Sequence, residues 1–173
     1  MTAPADHALP TADLFKDAFR THPAGIAVIT AKGPDGPVGL TASSVSSVSA
    51  EPPVLAFSVS TASASAAALV RSDTLVVHLL GADQVDIAQL FATRGADRFG
   101  GAVAWRSLPS GEPLLVDAPW ALRCRILHRL PVGGSMILAA EVLSIERSRP
   151  DAAAPLVYHN RSYHRLDDRS MLD

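Results

Sequence analysis

Residues 41–53 read TASSVSSVSAEPP; they follow one strand-like run and precede another, VLAFSVS at 54–60. Hydroxyl side chains packed this densely between apolar strands add little to a core. They leave a polar, closely approachable backbone at the edge of a sheet, suited to gripping a flat heteroaromatic ligand by its ring edge. The alternative is a serine-rich loop that satisfies its own backbone. Pro52 and Pro53 end the run and set the next strand apart.

Outward from this stretch the chain is mostly strand. On its N-terminal side, residues 24–31 (AGIAVITA) and 38–42 (VGLTA) flank GPDGP, turn chemistry that predicts a hairpin. A short helix precedes them, capped by Thr11 or Asp13, with Leu14, Phe15, Ala18 and Phe19 on one face. On the C-terminal side, residues 61–72 favour a helix with Thr61 or Ser63 as N-cap, and 74–80 (TLVVHLL) a strand. Asp83 is expected to cap a further helix reaching Arg94. Residues 120–130 alternate, with Leu122, Cys124 and Ile126 on one face and Arg123 and Arg125 on the other. A long apolar strand at 135–145 follows the Gly133-Gly134 turn, and short pieces at 156–158 and 162–166 close the chain. About six strands with Gly/Pro turns predict an antiparallel barrel rather than a doubly wound sheet. Residues 1–10 read as a disordered tail and 11–173 as a single domain.

The chain has 173 residues, enough for one domain with a substantial core. Hydrophobic residues make up 48%, charged residues only 18%, and the mean hydropathy is +0.21. So lean a polar surface predicts that a partner subunit covers part of it. No apolar run approaches the ~20 residues that span a bilayer, and the N-terminus lacks the cationic and apolar regions of a secretory signal. The expectation is a cytoplasmic protein without membrane contact. Net charge is −2, and the basic residues are scattered arginines, which argues against nucleic acid. The single cysteine, Cys124, excludes an intramolecular disulfide and a cysteine-built metal site. Gly-x-Gly-x-x-Gly and P-loop motifs are both absent, so any nucleotide must bind by other means.

Three later segments join the serine stretch: Asp97-Arg98-Phe99, Pro113-Leu114-Leu115 and Pro155-Leu156-Val157-Tyr158. With it they resemble, in order from about residue 15 to about residue 166, the flavin reductase family. The resemblance implies an all-β-dominated, six-stranded antiparallel split β-barrel of Greek-key type, with two or three small helices. It implies NAD(P)H-dependent reduction of FMN or FAD by a homodimer, with NADH or NADPH as reductant, serving a flavin-dependent monooxygenase. Thr41, Ala42, Ser43 and Ser44 would then run along the flavin ring edge. Ser58, Val59 and Ser60 lead into a helix start where Ser63 and Ser65 would hold the flavin phosphate, as helix N-termini favour anions. Arg98 would add a cation there, unless it pairs with Asp97 or Asp86, and Phe99 completes the cofactor set.

One departure stands out. Where many family members carry Gly-Asp-His, this chain has Gly133-Gly134-Ser135. Ser135 faces the nicotinamide by the same resemblance but lacks a chargeable ring, so altered nicotinamide preference is expected. Tyr163 is the aromatic candidate for the nicotinamide and Tyr158 a barrel plug. His78, inside an apolar strand, reads as a satisfied interior histidine, Cys124 as packing, and His159 and His164 as surface residues. No metal is expected. No catalytic side chain is required, since the cofactors carry the chemistry and the protein orients them. Two other readings remain: a flavoprotein oxidase or reductase holding FMN tightly for another small molecule, and a non-catalytic flavin carrier.

Overall fold

The structure is a computed structural model that describes residues 11–148 and 154–172; the tail expected at 1–10 lies outside the described residues. In chain order the elements are α1 (Ala12–Arg20), β1 (Ala24–Gly25), β2 (Ala27–Gly33), β3 (Gly36–Ala42), β4 (Ser46–Ala50), β5 (Pro53–Ser60), α2 (Ala64–Arg71) and β6 (Thr74–Leu79). A 3-10 turn (Ala82–Gln84) leads into α3 (Val85–Ala92), then β7 (Trp105–Ser107), β8 (Pro113–Leu115), β9 (Trp120–Val132), β10 (Ser135–Arg147), β11 (Leu156–His159) and β12 (Ser162–Arg165).

One antiparallel sheet dominates, in the order β3-β2-β6-β9-β10-β5-β4. Its two edge strands, β3 and β4, are joined only by residues 43–45. So short a link forces the sheet to curl until its edges meet, which makes a barrel. β5 and β6 are consecutive in sequence yet separated in the sheet by β10 and β9, a Greek-key crossing made through α2. Six of the strands are the antiparallel set expected; β4 is a seventh, formed from the serine run itself. Two smaller sheets accompany it, β1-β11-β12 and β7-β8.

Among the described residues the strands bury three clusters, the smallest made of Val76, Leu108, Leu114 and Ala121. Ala27, Ile29 and Ala31 of β2 point into the barrel with Phe57, Leu75 and Leu138, while Val28 joins Ile26, Phe91 and Leu156 outside it. Both faces of β2 are covered, which is why its sequence is a continuous apolar run. Phe57 is 2% exposed, and truncation to alanine there would cost about 3–5 kcal/mol. α2 and α3 both pack over β2 and β3. The approach of α3 is close: a Cβ at Gly39 would lie 2.6 Å from the Phe91 ring.

Several local expectations shift. The strand expected at 24–31 breaks at Ile26, so β1 pairs with β11 while β2 pairs with β3 and β6. Ile26 keeps its backbone bonded to Leu156 and Leu80 across that break. α3 starts at Val85 and ends at Ala92, short of Arg94. The N-cap of α3 is Gln84 rather than Asp83, and it makes no side-chain capping bond to the helix; its Oε1 instead accepts from Gly81 N–H at 3.1 Å, closing the 3-10 turn ahead of α3. α1 is capped by Thr11, whose hydroxyl accepts from Leu14 N–H at 3.3 Å, and it buries none of its residues.

Candidate functional site

The serine stretch and the helix that follows β5 meet at the barrel rim. Leu40, Thr41, Ala42, Ser43 and Ser44 form one wall of a cleft of about 330 Å³, and Ser58, Val59, Ser60, Ser63 and Ala66 the other. Ser44 latches the walls together: its hydroxyl donates to Ser58 C=O and accepts from Ser58 N–H, both at 2.9 Å. Thr41 Oγ1 donates to Ala88 C=O at 2.6 Å, fixing β3 to α3. Ala42 and Val59 are buried and contribute backbone and floor. The side chains along both walls are short, so main-chain groups lie close to the cleft.

A second cleft of about 240 Å³ continues from the first, sharing Leu40, Thr41, Ser60 and Ser63 and adding Ser65, Phe91, Arg94 and Arg98. Ser63 caps α2, accepting from Ala66 N–H at 3.2 Å, so the first N–H groups of the helix, which have no intrahelical partner, open toward this end. Arg98 is held in place by three contacts: Nε donates to Phe91 C=O at 3.2 Å, Nη2 to Thr93 C=O at 2.7 Å and Nη1 to Ser65 Oγ at 3.4 Å. These contacts with carbonyls and Ser65 set aside the alternative of pairing with Asp97 or Asp86. Two hydroxyls, two guanidinium groups and a helix start form a donor set that fits a phosphate. Arg94 was not foreseen. It follows α3 without any feature that separates it from a surface arginine.

Ser135 is cross-strand partner to Ser60, at the rim of the first cleft. The Gly133-Gly134 turn before it is tied down: Thr61 donates to Gly134 C=O through both N–H, 3.2 Å, and Oγ1, 3.1 Å. Gly133 has φ +56°, a conformation that favours glycine. Phe99 and Tyr163 line neither cleft. Phe99 stacks edge-on between Phe91 and Trp105, with centroids at 5.4 and 5.2 Å. Tyr163 packs edge-on against Tyr158 at 5.1 Å, and burial, then the neighbouring Tyr158, raises its pKa.

The buried titratable groups are structural. His78 is fully buried, with Nδ1 on Val28 C=O at 3.1 Å and Nε2 accepting from Leu115 N–H at 3.0 Å. Burial pulls its pKa down to about 4, against the opposing hydrogen bond to Val28. Burial pushes the Cys124 thiol up to about 12, the charge of Arg123 acting the other way. Glu112, also buried, pairs with Arg123 at 3.0 Å. Burial raises its pKa, but hydrogen bonds from Ser110, Thr74, its own backbone and Arg123 outweigh that and take it to about 2. Among the described residues, no three of His, Cys, Asp and Glu gather as a metal site.

A family model described as "Flavin reductase like domain" matches residues 19–167. An NADH:FMN oxidoreductase of Rhodococcus qingshengii is 40% identical over 153 residues, covering 87% of this chain and 80% of that protein. A flavin reductase domain protein from Arthrobacter sp. FB24 superposes with a TM-score of 0.86 at 34% identity, over 94% of this chain and 98% of its own. The styrene monooxygenase flavin reductase of Pseudomonas putida S12 superposes with a TM-score of 0.77 at 26% identity, over 88% and 97%.

Proposed function

The chain belongs to the flavin reductase like domain family, and from that premise we propose that it is an NAD(P)H-dependent flavin reductase. It takes FMN or FAD as flavin and NADH or NADPH as reductant, and it supplies reduced flavin to a partner flavin-dependent monooxygenase. The named activity of the Rhodococcus relative supports the reaction, and the monooxygenase component from Pseudomonas supports the partner. The observation that carries the reading is the continuous trough from Thr41–Ser44 to Ser63, Ser65 and Arg98.

A bound flavin supplies the two-electron chemistry, taking hydride from the reduced nicotinamide. The residues of the chain bind and orient. Thr41, Ala42, Ser43 and Ser44 offer backbone and hydroxyl groups to a ring edge, with Ser58, Val59 and Ser60 opposite. Ser63, Ser65 and Arg98 neutralise and hold the phosphate. Ser135, beside Ser60, is where the nicotinamide approaches, and it offers a hydroxyl but no charge. Held this way, two reactants gain rate from orientation alone.

A homodimer fits the surface. Leu130 and Ile137 are cross-strand partners, 58% and 39% exposed, and Ile137 also pairs with Ser58 of the cleft. An apolar patch of this kind beside a site favours a second copy that walls the ring end. The proposed location is the cytoplasm, where the nicotinamide pool is found; no helix of the described residues is long and apolar enough to cross a membrane. The glycine and serine at 134 and 135 favour one further reading, a flavin carrier that nicotinamide does not reduce. Anaerobic mixing of the flavin-loaded protein with NADH and with NADPH decides between them. Loss of the oxidised flavin absorbance with either donor is the expected result. Persistence with both would leave the carrier, and failure to bind either flavin in calorimetry would remove both readings.

A further inference from the structure

Past the phosphate end of the trough lies a third cleft, of about 440 Å³, between the β2–β3 turn and α2. Its size falls within the range of about 300–1,000 Å³ usual for small-molecule sites. It is continuous with the trough, because Ser65 lines both. Arg98 stands on the phosphate side and the next residue, Phe99, on the far side. The α2 wall is low, built from Ala64, Ser65 and Ala68, which occupy one face of the helix.

The chemistry of this cleft differs from that of its neighbour. Pro34, Pro37 and Phe99 supply flat apolar surface, the kind on which a heteroaromatic ring rests. Asp35 and Asp97 oppose the single cation Arg71, so the lining carries one net negative charge. Such a lining repels a free anion, whereas carboxylates accept hydrogen bonds from a vicinal diol. Asp97 already accepts from Phe99 N–H through Oδ1, at 3.4 Å, which sets the loop against the cleft.

We propose that this third cleft holds the adenosine half of a dinucleotide flavin, with base against Phe99 and the prolines, ribose on Asp35 and Asp97, and the pyrophosphate passing Ser65 between Arg98 and Arg71. The preferred flavin is then FAD rather than FMN. The proposal rests on the reading of the serine trough as the flavin site. Continuity through Ser65 with the phosphate end assigns the adenosine to the flavin and not to the nicotinamide nucleotide.

Calorimetry with FMN and FAD on the full chain tests it, reading the ratio of the two dissociation constants so that any general loss of fold cancels. The expected result is FAD binding about tenfold tighter than FMN, the scale of a charge-assisted hydrogen bond and a stacked ring. Asp35→Ala, on an exposed turn, should reduce that ratio to about threefold. Free adenosine, which carries no phosphate, should weaken FAD binding and leave FMN binding as it was. FMN binding as tightly as FAD would overturn the proposal. Adenosine that raises the KM for NADH while sparing FAD would also overturn it and give the cleft to the reductant. If neither flavin bound, the reading of the trough itself would fall, and this inference with it.

Discussion

Ser63 and Ser65 sit two positions apart, yet their hydroxyls have different duties. Ser63 accepts from Ala66 N–H and so holds the start of α2, while Ser65, among the described residues, accepts from Arg98. Ser65→Ala should therefore weaken flavin binding without loss of thermal stability. Ser63→Ala should do both, since loss of an N-cap costs about 1 kcal/mol. Together they should cost about 1–3 kcal/mol of flavin affinity, read by titration of flavin fluorescence; an unchanged dissociation constant would remove the phosphate assignment. His78 makes a prediction in pH. It is neutral in the fold down to about pH 4, because protonating Nε2 would break its bond from Leu115 N–H. The unfolded chain protonates near 6.5, so the unfolded state binds more protons between these values and stability falls as pH drops from about 6.5 to about 4. The loss should reach about 3 kcal/mol. Glu112 shifts downward, so its contribution is present above about 4.5 and disappears toward pH 2. Urea unfolding against pH should show both windows, and His78→Asn should abolish only the upper one.

At the scale of elements, α2 is held at both ends by residues far away in sequence. Arg129 of β9 donates through Nε to Val70 C=O and through Nη2 to Ser72 C=O, both at 2.7 Å, satisfying carbonyls that the helix end leaves open. Arg129→Ala should lower stability by about 1 kcal/mol, and it should weaken flavin binding more than it weakens folding, because the released helix carries Ser63 and Ser65. Equal effects in denaturation and titration would reduce Arg129 to a surface contact. This tie could not be read from the sequence, since Arg129 looks like any residue on the polar side of an alternating strand. The same limit explains β4: with Ser46, Ser47 and Ser49 in it and Val48 exposed, no apolar alternation marks the strand. β7 and β8 are three residues each, below the length at which a period can be seen. β5, which buries Leu55, Phe57 and Val59 on one face, was readable to within a residue. In the site, the hydroxyl pattern at 41–44 and 58–65 was readable because polar residues between apolar strands need a purpose. Arg98 needed the family motif, and Arg94 had no signal at all.

For the molecule as a whole, the uncovered apolar surface follows from its lean composition. α1 buries nothing, although Leu14, Phe15 and Phe19 line up on it, and Leu130 and Ile137 stand exposed on β9 and β10. A barrel of this size has too few charged residues to leave such strips in water without cost. Light scattering on the eluting protein should give about twice the chain mass of 18.1 kDa. Leu130→Glu with Ile137→Glu places two charges on adjacent strands and should yield the monomer. Because Ile137 is paired with Ser58, a dimer built here makes flavin affinity depend on assembly. Dilution of the wild type should then weaken flavin binding as the dimer dissociates, while the monomeric double variant should bind weakly at every concentration. A variant that is monomeric yet binds flavin as the wild type does would separate the patch from the site.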